Sequence, residues 1–253
     1  MRRIFVLLAV LAMTVTTQQA SGITGAAPDG GAHPYVGALI GHPPEGGLDV
    51  ACSGFLIAPK VFLTAGHCTA GVGSETELPF VTFADPVDLE NPSTLIQVEA
   101  LVTHPGFNPL TLANDFGVAF LKKRAPAGVT PVGLPSEGLL DTMRAGGSLP
   151  SFVMVSYGVV VDCSTRPCAF SIDGSRHVAS APVVKLLSDF VFIRNGVCSK
   201  DSGSPQLLPP ATPGTPVVAG AVTNSAFGCA QMGGATRLDT SSALDFLEPY
   251  AQP

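Results

Sequence analysis

Cys198-Ser199-Lys200-Asp201-Ser202-Gly203-Ser204-Pro205 puts a cysteine, an acid, a central serine and several turn-forming residues into one short stretch. That density reads as a loop built to present a hydroxyl. A sharp turn would push the Ser202 side chain forward and aim backbone N–H groups at one point, and Gly203, Ser204 and Pro205 favour such a turn. Ser-Gly turns are also ordinary surface turns in a chain with 28 glycines and 23 prolines. The reading therefore depends on whether a base and a second acid occur in fitting contexts.

Both occur. Thr64-Ala65-Gly66-His67-Cys68 follows the apolar run Val61-Phe62-Leu63, and Asn114-Asp115-Phe116-Gly117 leads into Val118-Ala119-Phe120-Leu121. With His67, Asp115 and Ser202 in that order, the chain resembles the trypsin/chymotrypsin-like serine proteases; the same triad on unrelated folds comes in other chain orders. The resemblance runs from about Ile23 to the C-terminal helix. It implies an all-β fold of two perpendicular six-stranded antiparallel β-barrels with a short C-terminal helix. Residues 23–135 would form the barrel carrying His67 and Asp115, and residues 136–253 the barrel carrying Ser202.

Composition agrees with a folded β protein. The 253 residues are 46% hydrophobic and only 13% charged, enough apolar material for a core and the opposite of a disordered composition. The formal net charge of −6 argues against nucleic acid as a partner. Residues 1–22 read as a signal peptide: Arg2 and Arg3 precede an apolar run from Ile4 to Val15, and the small residues Ala20 and Gly22 follow. The expected product is secreted, extracellular and monomeric, with no membrane span, because no later segment approaches the ~20 apolar residues a span requires. Cleavage after Ala20 would start the chain at Ser21, and cleavage after Gly22 would start it at Ile23.

From Tyr35 onward short apolar runs alternate with turn clusters. Strands are expected at 35–40, 50–57, 61–64, 80–84, 96–103 and 118–121, then at 151–161, 177–184, 190–194, 205–208, 217–223 and 235–238. The segment from Lys122 to Leu149 reads as a crossover, and Ser241 to Leu247 as a capped helix stopped by Pro249. Six cysteines in an exported chain favour disulfides over metal. By spacing alone fifteen pairings are open. The resemblance implies Cys52 with Cys68 and Cys198 with Cys229, leaving Cys163 and Cys168 to close a small loop.

The resemblance also implies roles. His67 would act as general base, Asp115 would orient it, and Thr223 would support Asp115 with a hydroxyl. The oxyanion hole would use the N–H groups of Lys200 and Ser202, with Lys200 standing where the family has glycine. Ile23, freed as an N-terminus, would pair with Asp201. Gly196, Ser199, Ser225 and Gly233 would line a specificity pocket, neutral because Gly196 stands where trypsin-like members carry aspartate. His33, His42, His104 and His177 form no metal-spaced cluster, and neither metal nor cofactor is expected. The expected activity is hydrolysis of protein or peptide substrates by a serine endopeptidase. The alternative is a secreted homologue whose cleft binds a partner without turnover, which Lys200 favours.

Overall fold

Short strands leave unpaired backbone edges unless a sheet closes on itself, and in the computed structural model both sets of strands close. The structure describes residues 26–72, 77–162, 169–194, 197–208, 218–226 and 232–251. A two-residue strand β1 (Ala27–Pro28) precedes the first barrel, which contains β2 (Val36–Gly41), β3 (Asp49–Ala58), β4 (Val61–Thr64), β5 (Phe80–Thr82), β6 (Leu95–Thr103) and β7 (Gly117–Leu121). Its ring runs β2-β3-β4-β7-β6-β5 and back to β2.

The second barrel contains β8 (Ser151–Ser156), then, beyond a small β9–β10 hairpin (Val160–Asp162 with Ala169–Ser171), β11 (His177–Leu186), β12 (Phe190–Ile193), β13 (Pro205–Leu208), β14 (Val218–Ala226) and β15 (Gly233–Arg237). These strands follow one another as β11-β12-β15-β14-β13-β8, and pairing of β8 with β11 closes the ring. All pairings are antiparallel. Each barrel buries its own apolar cluster. Phe55, Phe62 and Leu63 lie in the first, and Phe152, Met154 and Val191 in the second.

Three features depart from the expected elements. The run expected as one strand over 151–161 is broken after Ser156, because Tyr157 N–H turns to Ser53 Oγ on β3 and Gly158 N–H to Asp201 in the nucleophile loop. The crossover holds a helix, α2 (Leu139–Ala145), anchored where Leu140 N donates to Asp239 Oδ2 at 2.7 Å. A short helix, α1 (Gly66–Gly71), carries His67. The C-terminal helix α3 (Ser241–Leu247) lies where expected, with Thr240 Oγ1 accepting the N–H of Ala243 as an N-cap. Among the described residues no helix is long and apolar enough to cross a membrane.

A buried ionic cluster ties the start of the described chain to both barrels. Arg176 donates from Nε to Asp29 Oδ2 at 2.8 Å and from Nη1 to Val36 O and Tyr157 Oη. Its own N–H donates to Asp85 Oδ1.

Candidate active site

His67 sits one residue into α1, immediately beyond the end of β4. Cys68 beside it is bonded to Cys52 on β3, which fixes that short helix to the barrel. Asp115 precedes β7 and is fully buried. Both its carboxylate oxygens face His67: Oδ1 accepts the backbone N–H at 2.7 Å and Oδ2 meets Nδ1 at 2.8 Å. Gly66 is what permits the approach, since a Cβ there would stand 2.9 Å from Phe116 N and 3.1 Å from Asp115 Oδ1.

The aspartate is held from behind by the other end of the chain. Phe116 packs against His104 and Phe246, with ring centroids 4.8 and 5.7 Å away. Ser242 Oγ on α3 donates to Asn114 Oδ1 at 3.1 Å. His104, which by sequence needed no role of its own, is thus part of the aspartate's support, and burial lowers its pKa.

The nucleophile loop is fastened to β3 through Ser53. The Ser53 N–H donates to Ser202 O at 2.8 Å, and its Oγ donates to Lys200 O at 2.9 Å while accepting Tyr157 N–H at 3.0 Å. Gly203, at φ +87°, packs so tightly that a Cβ would stand 2.1 Å from Ser53 O and Thr64 Oγ1 and 3.0 Å from Ala65 N. Ser202 is therefore carried to the strand end that leads into the His67 helix. It is half-buried. Among the described residues, no hydrogen bond joins Ser202 Oγ to His67, and neither Lys200 N nor Ser202 N donates to a protein acceptor.

Thr223 is placed differently from the expectation. Its Oγ1 accepts from Ser204 Oγ at 2.8 Å and Gln206 Nε2 at 2.7 Å, and Asp115 takes its described hydrogen bonds from His67 alone. Thr223 supports the nucleophile loop instead, because its carbonyl accepts Gly203 N–H and its N–H donates to Ser204 O. The polar side chains Ser204 and Gln206, where an apolar or glycine position would offer nothing, draw the hydroxyl to themselves.

Asp201 is fully buried, and burial pushes its pKa up to about 7, against the opposing hydrogen bonds from Ser156 Oγ, Cys198 N and Gly158 N. Its expected partner Ile23 lies outside the described residues, as do Gly196, Cys163, Cys168 and Cys229. Cys198 is disulfide-bonded. Ser199 is exposed, and β14 and β15 bring Ser225 opposite Gly234 and Ala226 opposite Gly233. Cys52, His67 and Cys68 bring possible ligand atoms within 4.8 Å of one another, but the two sulfurs are bonded together and offer no thiolate.

A cleft of about 490 Å³ lies between the loop Leu110 to Ala113 and the segment Leu187 to Phe192, and its lining includes none of His67, Asp115 and Ser202. Sequence reasoning assigned no role to Asp49, whose Oδ2 pairs with Lys200 Nζ at 2.6 Å, nor to Ser53. Neither carries a local signal, since each acts on residues about 150 positions away.

The family described as Trypsin matches residues 23–244. Granzyme-like protein 1 of Rattus norvegicus is 30% identical over 122 residues, 48% of this chain and 47% of the relative. Cathepsin G of Mus musculus is 36% identical over 106 residues, 41% of this chain and 38% of the relative. Coagulation factor XII of Bos taurus is 26% identical over 222 residues, 79% of this chain but 34% of the relative. The chain thus spans less than half the length of these curated relatives. A solved chain described as "Structure of GrC" superposes with a TM-score of 0.65 at 20% identity, covering 88% of this chain and 95% of that one. An HL collagenase structure gives 0.66 at 19%, with the same coverage. At these identities the two structures speak for the fold alone.

Proposed function

Since the chain belongs to the trypsin family, we propose that it is a secreted serine endopeptidase working through His67, Asp115 and Ser202. The observation that carries the reading is the two-point contact of Asp115 with His67 at the strand end against which the Ser202 loop is packed. A serine hydroxyl is a weak nucleophile until a base takes its proton in the act of attack. Asp115, accepting from Nδ1, leaves Nε2 of His67 as the proton acceptor. Ser202 Oγ would add to the scissile carbonyl, and His67 would hold the proton and return it to the leaving amine. Water activated by the same imidazole would then release the acyl group from Ser202.

The free N–H groups of Lys200 and Ser202 would receive the developing oxyanion. One such donor is worth about 2.7–4 kcal/mol in the transition state. A pocket lined by Gly196, Ser199, Ser225 and Gly233 would offer no side-chain charge of theirs to pair with arginine or lysine, which would favour an uncharged side chain before the cleaved bond. Removal of residues 1–22 would free Ile23, whose ammonium would relieve the cost of burying Asp201 as a carboxylate.

The test is labelling of secreted protein with a fluorophosphonate probe, with Ser202→Ala and His67→Ala as controls. Labelling of wild type that both substitutions abolish is expected. A wild type that starts at Ile23 and stays unlabelled would favour the second reading, a binding module. That reading draws on the non-glycine Lys200 and on the missing Ser202–His67 hydrogen bond, although catalytic hydrogen bonds are often loose before substrate arrives.

A further inference from the structure

Lys200 adopts φ +73°, a left-handed conformation that disfavours residues with a Cβ. It does so in the middle of the nucleophile loop, at a residue whose N–H donates to no acceptor among the described residues. Two contacts fall on it from β3, and no other described residue bonds its carbonyl or its ammonium. Ser53 Oγ holds its carbonyl at 2.9 Å, and Asp49 Oδ2 holds its ammonium at 2.6 Å. Asp49 is itself oriented, since its Oδ1 accepts the N–H of Val50 at 2.8 Å. The Lys200 side chain is only 16% exposed although its partner is 55% exposed, so the lysine lies along the protein surface with its stem largely covered.

We propose that Asp49 is a positioning residue for the oxyanion loop. By holding the Lys200 ammonium, it keeps residue 200 in the left-handed conformation that presents its N–H beside that of Ser202, so a salt bridge does here what a glycine would do through its lack of a Cβ. Ser53 and Asp49 grip the carbonyl and the side-chain end of the same residue, so a movement of residue 200 away from β3 would break at least one of the two contacts. Asp49 touches neither substrate nor the reacting atoms. The inference rests on the acyl-transfer reading for its catalytic consequence, but its structural content stands apart from turnover.

The test is a double-mutant cycle of Asp49→Ala and Lys200→Gly on the mature secreted protein, with Asp49→Glu as the conservative variant. Two quantities are read: kcat and KM on a peptide substrate, and amide hydrogen exchange over residues 198–204. Asp49→Ala should lower kcat about three- to fivefold, the scale of one partly exposed charge contact, with KM within about twofold. Asp49→Glu should retain most of the activity. In the Lys200→Gly background Asp49→Ala should change kcat less than about twofold, because a glycine needs no latch. Exchange over 198–204 should quicken in Asp49→Ala alone and not in the double variant.

Equal losses in both backgrounds, or a change in KM without kcat, would overturn the proposal, since they would mark Asp49 as a substrate contact or a general structural residue. If the wild type is inert, the endopeptidase reading fails and the exchange data decide the latch: coupled exchange upholds it, and indifference to Asp49 removes it.

Discussion

Asp115 meets His67 twice, once at the backbone N–H and once at Nδ1, with a separate carboxylate oxygen for each. That division makes the aspartate's chemistry irreplaceable by its amide. In Asp115→Asn the amide oxygen must stay on the backbone N–H, which can only donate, so the NH₂ group turns to Nδ1. The ring proton is then driven to Nε2, the atom that has to accept from Ser202. We expect the folded structure to persist and kcat to fall by about 10⁴, the scale of a wrong-tautomer triad. Steady-state kinetics beside a thermal melt would check it. A loss below tenfold would show that the tautomer is not set by this contact.

Gly203→Ala is expected to disable the site by geometry alone. The new methyl would stand 2.1 Å from two oxygens, Ser53 O and Thr64 Oγ1, at a φ of +87°. The left-handed strain costs about 1–3 kcal/mol before any clash is counted, and relief must move the loop off β3. Probe labelling of Ser202 should disappear even where the variant is still folded by circular dichroism. Labelling at the wild-type rate would refute the close packing.

Asp201 carries a pH signature. Burial raises its pKa from 3.8 to about 7, so in the folded chain it keeps a proton that the unfolded chain has already released. For the chain still carrying residues 1–22, this group costs the folded state progressively more as pH climbs from about 4 to 7, with an upper bound of roughly 4 kcal/mol. Asp201→Asn should lack that fall. Urea titrations of both proteins across pH 4–8 would reveal it, and parallel curves would dismiss the buried acid.

Asp29 runs the other way. Burial raises its pKa, but the hydrogen bonds from His33 and Arg176 outweigh that and hold it at about 2. Its stabilising contribution is complete above the ordinary carboxylate pKa near 4 and fades as pH falls toward 2. Arg176→Met would strip the buried carboxylate of its cation and is expected to cost about 3–5 kcal/mol at neutral pH. A urea midpoint unchanged from wild type would contradict this.

Much of the barrel plan was legible because the alternation of apolar runs and turns is local. The runs 61–64 and 205–208 became strands at those residues, and Ser241 to Leu247 became the helix. Local reading failed where a residue answers to a distant partner. Tyr157 and Gly158 look like strand continuation until Ser53 and Asp201 claim their N–H groups. Helix α1 is too short for a periodic signal; the Cys52–Cys68 disulfide and the Asp115 contact define it. Thr223 offers one hydroxyl, and only the packing around β13 decided that Ser204 and Gln206 would take it.

The sequence by itself determined the chemistry available: a histidine, an aspartate and a serine in a family's order, each in a recognisable local setting, and strands enough for two barrels. It also showed that residue 200 is a lysine. Tertiary structure alone decided which groups face one another. Packing of one barrel against the other brings Ser53 and Asp49 on β3 against a loop that follows them by about 150 residues, and the C-terminal helix is laid behind Asp115. A sequence records residue types and short-range periodicity, whereas a hydrogen bond depends on atoms within about 3 Å. For chain segments this far apart, only the packing of the barrels and the C-terminal helix against one another supplies that distance.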